Sequence, residues 1–283
     1  MKKKFLSILC CFSVLLAGTQ LQEVYASENL NAEQLDLEMI DVMDIADIGK
    51  NAMDNALIQA YTNKIQNMTA SEFDKMIAEM VETTENKSEL KEKLALCGVE
   101  LSIDKNVPIS PMSLDDREVN FSNYTAKRGG ENYYRLYTTM TFDSQELHPG
   151  SLDALITFFD PNLAKFKDYN IVTEDAFTIN SHRSSSKGYV SFNFHDELIC
   201  GLGYKDSYTV VLYVVPTSKG KEISYGAELG HSYTKTNIQV SGSLSYTLPN
   251  VFGGQITFTP VKSELYWNTG SAPQGFVPNL HMK

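Results

Sequence analysis

The spacing of apolar positions changes once along the chain. From Asn31 to about Leu96 they recur every three or four residues, the period of an amphipathic helix; beyond residue 118 they alternate, the period of a strand. In the first part Phe73, Met76, Ile77, Met80 and Val81 make one stripe behind Thr69-Ala70-Ser71-Glu72. That tetrapeptide is a capping box, in which the Thr69 hydroxyl accepts from an orphan amide and Glu72 reaches back. Asn86 and Glu89 open a shorter helix with Leu90 and Leu94 inward, and Gly98 is suited to stop it. Leu35 to Met68 is periodic too, with a break at Gly49. The methionines of this part, such as Met39, Met43 and Met53, read as core rather than as a binding face.

Val99 to about Leu114 reads as a connector, because Pro108 and Pro111 oppose regular structure. Beyond it, YYRLYTTMTF (133–142), LDALITFF (152–159), GYVSFNFH (188–195) and SYTVVLYVV (207–215) are rich in β-branched and aromatic residues. Turn-like clusters separate them, among them Lys127-Arg128-Gly129-Gly130 and His148-Pro149-Gly150. SYTVVLYVV is apolar on both parities and predicts a central strand. GYVSFNFH, with Val190, Phe192 and Phe194 on one parity only, predicts a strand with one wet face. Such strands without intervening helices argue for an antiparallel sandwich. The fold class is therefore α+β: a helical N-terminal region over 27–98, a connector over 99–118, and a mainly antiparallel β-sandwich over 119–283.

Near the C-terminus the alternation slips. Ile223, Tyr225, Ala227, Leu229, His231 and Tyr233 are odd, whereas Ile238, Val240, Gly242, Leu244 and Tyr246 are even. The simplest readings are a hairpin turning at Thr234 to Asn237, or one long bulged strand. From Thr236 to Val261 there is no charged residue, where average composition would supply roughly five or six.

The first residues add a compartment. Lys2, Lys3 and Lys4 precede the apolar run Phe5 to Ala17, and Val24-Tyr25-Ala26 suits a signal peptidase, so residues 1–26 read as a signal peptide cleaved near Ala26. The position where a lipoprotein box needs cysteine is Thr19. The expectation is a secreted, extracellular bacterial protein. Its mature 257 residues hold 21 basic and 34 acidic side chains, a formal charge of −13. That charge argues against nucleic acid and anionic bilayers as partners. Residues 27–49 carry seven acidic side chains and no basic one, which reads as a solvated face or a pro-segment. Cys97 and Cys200 remain after cleavage, either bridged or as separate thiols.

No catalytic signature emerges: HExxH, GxSxG and GxxxxGK[ST] are absent, and no two of the five histidines are spaced for a shared metal. His195, Asp196 and Glu197 are the densest acid–base cluster, but neighbours on a strand point to opposite faces. Cys200 has apolar neighbours and no activating charge, which favours a structural thiol. His231 shares the apolar parity of its strand and reads as a hydrogen-bonded core or rim residue. No cofactor or metal is expected.

Binding offers a stronger reading. Tyr133, Arg135 and Tyr137 share one parity; exposed, they would form a platform for a sugar ring or peptide, and covered, they would pack on a neighbouring strand. Trp267, the single tryptophan, either anchors a partner or closes the core. The sequence thus favours a non-enzymatic protein whose β domain binds an extracellular or cell-envelope target, a glycan or a protein. A rival is a β-pore-forming toxin or bacteriocin whose 222–247 hairpin inserts Ile238, Val240, Leu244 and Tyr246 into a membrane. A hydrolase without a recognisable motif is the third class.

Overall fold

Local signals place the helices. In a computed structural model, which describes residues 52–103, 119–142, 153–179, 187–194, 207–234, 243–247, 255–259, 264–270 and 274–278, α1 spans Ala52–Asn67, α2 Ala70–Thr83 and α3 Lys87–Leu96. At the start of α2 the Glu72 amide donates to Thr69 Oγ1 at 3.2 Å and the Thr69 amide donates to Glu72 Oε2 at 2.8 Å, closing the box. The Glu89 amide donates to Asn86 Oδ1 at 3.2 Å and starts α3. Gly98, at φ +77°, turns the chain out of it.

Two antiparallel sheets follow. The five-stranded sheet has the order β1 (Val99–Ile103), β2 (Val119–Arg128), β3 (Tyr134–Phe142), β8 (Ser207–Pro216), β5 (Ala164–Ile171). The second sheet has the order β12 (Glu264–Gly270), β9 (Ile223–Thr234), β4 (Asp153–Phe159), β7 (Tyr189–Phe194), β6 (Phe177–Ile179), with β13 (Gln274–Phe276) also on β9. The remaining strands, β10 (Ser243–Thr247) and β11 (Gln255–Thr259), make a two-stranded sheet of their own. The signal segment, the acidic stretch 27–49, Cys200 and the His195 cluster lie outside the described residues.

Facing parities of the two large sheets form the core. Leu136, Met140 and Phe142 from β3 and Val210, Leu212 and Val214 from β8 meet Leu155, Phe159, Val190, Phe192, Phe194 and Leu229 from the other sheet. Aromatic rings fill it: Phe142 stacks on Phe194 at 5.6 Å, and Tyr208 meets Phe194 edge-on at 5.1 Å. The outer face of the five-stranded sheet is covered in turn by the helices, through Phe73, Ile77 and Leu94 among others. Helices and both sheets belong to one compact unit.

Two local expectations change. Val99–Ile103, read as connector, is a strand paired along its length with Tyr124–Arg128 of β2. The prolines that argued against structure there begin at Pro108, and Val99 and Leu101 gain burial under α3. In β7 no face is broadly wet: Tyr189 and Ser191 are buried and only Asn193 is half-buried. The strand is interior, between β4 and β6, so polar identity at alternate positions did not signal solvent. β8, between β3 and β5, is buried from Tyr208 to Val214.

Candidate functional site

The Tyr133, Arg135 and Tyr137 positions lie on the sheet face that α2 covers. Arg135 and Tyr137 are both 0% exposed and Tyr133 8%, so they present no open platform for a sugar or peptide. The group they face is Asp74, on the buried side of α2. Asp74 Oδ1 accepts from Arg135 Nε at 2.8 Å and from the Tyr137 hydroxyl at 3.0 Å. Its Oδ2 accepts from Asn170 Nδ2 at 2.8 Å and from the Tyr213 hydroxyl. One helix carboxylate is therefore held by four donors from β3, β5 and β8.

A second carboxylate completes the cluster. Glu131, in the turn between β2 and β3, accepts from Arg135 Nη2 at 2.9 Å, Tyr133 at 2.8 Å and Arg128 Nη2 at 2.8 Å, and also pairs with Arg135 Nη1. Arg128 Nη1 donates onward to the carbonyls of Ile65 and Met68 at 3.0 and 2.6 Å, satisfying the C-terminal end of α1. Rings enclose the Arg135 guanidinium, with Phe73 at 4.4 Å, Tyr133 at 4.9 Å and Tyr213 at 5.4 Å from centroid to Cζ. Tyr137 stacks on Tyr124 at 4.7 Å.

The electrostatics follow from burial and pairing. Burial pushes the Asp74 carboxyl above its ordinary value, against the opposing pull of Arg135, Tyr213, Asn170 and Tyr137. For Glu131 burial also pushes upward, but Arg135, Tyr133 and Arg128 more than offset it and hold the carboxyl below its usual range. Burial likewise works against the Arg135 charge, and the hydrogen bond to Glu131, with Tyr137 and Asp74 nearby, keeps it firmly protonated. Burial, then the Asp74 charge, raises Tyr137 and Tyr213 well above the ordinary phenol value. This arrangement seats a helix: four convergent donors set the rotation and height of α2 on the sheet.

Asp74 was legible in outline. It lies on the same helical face as Ile77, Ala78 and Val81, a carboxylate within an apolar stripe, and Arg135, read as part of a binding platform, is the cation that faces it. Buried charges require partners, and each is the other's.

His231 and Asp153 form another buried pair. His231 Nδ1 lies 2.8 Å from Asp153 Oδ2, joining β9 to β4 inside the second sheet. Trp267 is placed opposite His231 by the β12–β9 register. Cys97 is an unbridged thiol, buried beside Gly98, and burial raises its pKa. Among the described residues no cluster of three or more His, Cys, Asp or Glu is disposed to hold a metal ion.

The slipped alternation is placed in part, with residues 235–242 outside the described residues. Among the described residues, Ile223–Thr234 does not pair with Ser243–Thr247. It pairs with β4 on one side and with β12 and β13 on the other, because Ile223, Tyr225, Ala227 and Leu229 belong to the inter-sheet core. Ser243–Thr247, the described part of the second arm of the 222–247 hairpin read from the sequence, pairs with β11. Leu244 opposes Phe258 and Tyr246 opposes Ile256, while Ser243, Ser245 and Thr247 oppose Thr259, Thr257 and Gln255. Opposed residues of a strand pair share a face, so one face of positions is wholly apolar and the other wholly uncharged polar. Leu244 and Tyr246 fall in β10; Ile238 and Val240 lie outside the described residues.

This hairpin belongs to an excursion. The β9–β12 ladder closes at Thr234 opposite Glu264, and residues 235–263 run between those two partners. The uncharged window 236–261 fills nearly all of that interval, with Lys235 and Lys262 at its two ends. Among the described residues, no helix is long and apolar enough to cross a membrane.

No protein-family model matches the chain, and no curated protein matches it by sequence. Among solved structures, it is similar to the seventh ScaB type I cohesin from Pseudobacteroides cellulosolvens, at 15% identity over 37% of this chain and 72% of that one, with a TM-score of 0.27. The sixth cohesin of scaffoldin B from Acetivibrio cellulolyticus, in complex with a Cel5 dockerin, is 15% identical over 47% of this chain and 86% of that one, with a TM-score of 0.26. The N-terminal domain of the Streptococcus gordonii adhesin Sgo0707 is 12% identical over 34% of this chain and 24% of that one, at 0.25. At TM-scores of this size the likenesses carry no inference about function.

Proposed function

We propose that the chain is an exported, non-catalytic binding protein, whose recognition element for an extracellular or cell-envelope target is the connection between β9 and β12, which contains the β10–β11 hairpin. The observation that carries this reading is the excursion itself. Two strands paired from Thr234–Glu264 to Glu228–Gly270 would close with a tight turn, yet a long and almost wholly uncharged segment intervenes. The segment contains a hairpin that joins neither large sheet, more chain than the connection between two paired strands requires. The buried polar groups elsewhere support the same reading, since Asp74, Glu131 and Arg135 are engaged in holding the helices to the sheet.

Export rests on the basic n-region, apolar run and Val24-Tyr25-Ala26 boundary. The domain limits proposed are a removed segment over 1–26, the helical region over 27–98 and a β domain that begins with β1 at Val99. The test is recovery of the expressed chain from the medium with Ser27 at its N-terminus, followed by cosedimentation with isolated bacterial envelopes. Retention in the cytoplasm, or no sedimentation above a serum albumin control, overturns the proposal.

A further inference from the structure

The five-stranded sheet ends in β5, which among the described residues pairs with β8 alone. This strand is wet: Lys165, Lys167 and Asp168 are exposed, and Phe166, Tyr169, Asn170 and Ile171 are half-buried. Among the described residues, the half-buried apolar groups packed against the core are Leu163, Phe166, Tyr169, Ile171 and Ile179. All of them lie on or beside β5 and β6, the edge strands of the two large sheets. A sheet edge with partly exposed apolar side chains is a template for another strand.

The two sides of β5 decide which strand fits. Ala164, Phe166, Tyr169 and Ile171 turn to the inter-sheet core, the last three opposite Val214, Leu212 and Val210 of β8. The other residues turn to the helix side. Lys167 Nζ lies 3.5 Å from the centroid of the Tyr133 ring, Asp168 opposes Tyr213, and Asn170 donates to Asp74. Lys165, between Ala164 and Phe166, shares that side. The register shifts between Phe166 and Asp168, so Lys167 is an extra residue and takes the same side as Asp168. From 164 to 171 the sides therefore run core, helix, core, helix, helix, core, helix, core. The order is the same in both directions.

That symmetry excludes a regular strand and admits a copy. Opposed residues of an antiparallel pair share a face, so a strand that alternates without a break matches β5 on one side of the bulge only. A second β5, antiparallel about a two-fold axis between positions 167 and 168, matches it throughout. Ala164 then opposes Ile171 of the second copy, Lys165 opposes Asn170, Phe166 opposes Tyr169 and Lys167 opposes Asp168. Ring meets ring on the core side. On the helix side ammonium meets carboxylate, twice by symmetry. The Tyr169 amide donates to Asp168 Oδ1 at 2.9 Å, a local bond that a carbonyl of a neighbouring strand can replace. An edge lysine and a bulge also discourage foreign strands, so this edge selects itself.

We propose that β5 is a homodimerisation edge, at which two copies of the chain join β5 to β5 and run their five-stranded sheets into one. The expected mature charge of −13 repels copies at long range, and Lys165 and Lys167 outnumber Asp168 at the edge where they meet. The inference is independent of the β9–β12 connection.

The experiment is sedimentation equilibrium of the full exported chain over a concentration series. It compares wild type, Lys167→Asp, Asp168→Lys, an equimolar mixture of those two variants, and the double variant. Wild type is expected to follow a monomer–dimer equilibrium. Each single variant sets like charges opposite each other at both central pairs and should dimerise about tenfold more weakly. In the mixture one chain carries two acids at the centre and the other two lysines, so every central pair is complementary again. The mixture and the double variant should both return to within about twofold of wild type. Both positions are exposed, and recovery in the mixture requires both variants to be folded. Three results overturn the inference. They are a wild type that stays monomeric throughout, single variants that dimerise as strongly as wild type, or a mixture and double variant that dimerise no better than the single variants.

Discussion

Asp74 of α2 and Arg135 of β3, 61 positions apart in the chain, meet with no solvent exposure at 2.8 Å between Oδ1 and Nε. A buried pair of this kind is expensive to assemble, and replacing both members by apolar groups is often neutral. Removing one member is different, because the other is left charged without its partner. Asp74→Ala is therefore expected to destabilise the protein by roughly 3–5 kcal/mol, read as a fall in the urea midpoint with an unchanged slope. Asp74→Asn, which keeps one acceptor oxygen for the four donors, should cost less. Equal costs for the two would show that the carboxylate's charge does not matter to the seat.

Glu131 gives the cluster a pH dependence of known sign. Its folded-state pKa lies below the ordinary value, because pairing with Arg135, Tyr133 and Arg128 outweighs burial. The unfolded chain therefore takes up a proton at a higher pH than the folded protein does. The stability from Glu131 is complete above the unfolded value of about 4.3 and is lost as pH falls through the folded value. Denaturant titrations of wild type and Glu131→Gln across the acid range should show a gap that is widest near neutrality and narrows on acidification. A gap that widens in acid would contradict the pairing.

Two glycines with nearly the same backbone separate strain from crowding. Gly188 and Gly130 have φ of +83° and +81°. A Cβ on Gly130 would meet nothing within 4 Å, whereas on Gly188 it would sit 2.4 Å from the Phe159 carbonyl oxygen and 2.7 Å from Pro161 Cδ. Gly130→Ala should cost only the left-handed penalty, about 1–2 kcal/mol. Gly188→Ala should add about 1–3 kcal/mol for overpacking, measured by thermal melting. Matching losses would mean that the close approach of Gly188 to Phe159 is not a constraint.

What the sequence revealed, and what it hid, follows one physical division. Period, caps and turn residues are local, so the capping box at Thr69, the α2 stripe, the central position of β8 and the α+β class could be read directly. Partner choice is not local. Nothing in the alternation of 222–247 says that Ile223–Thr234 turns its apolar face to another sheet and takes residues 264–270 as its neighbour. The tyrosine platform failed for the same reason: whether Arg135 meets solvent depends on Asp74, a residue of another element. Even so, a lone carboxylate in an apolar helix stripe and a lone guanidinium between two tyrosines of a strand form a matched pair that a search for buried charge would find.

The missing charges of 236–261 were visible from the start; the structure adds where they matter. The uncharged positions fall in the interval between two paired strands, so the chain can be rejoined across it at Thr234 and Glu264. Its central claim is tested by deleting it: Thr234 is joined to Glu264 through an Asn-Gly turn, which two directly opposed residues can accept. The measurement is cosedimentation of this variant with isolated envelopes, alongside its thermal midpoint. The account predicts an unchanged midpoint and binding reduced by about tenfold or more. A folded variant that binds as well as wild type would contradict it.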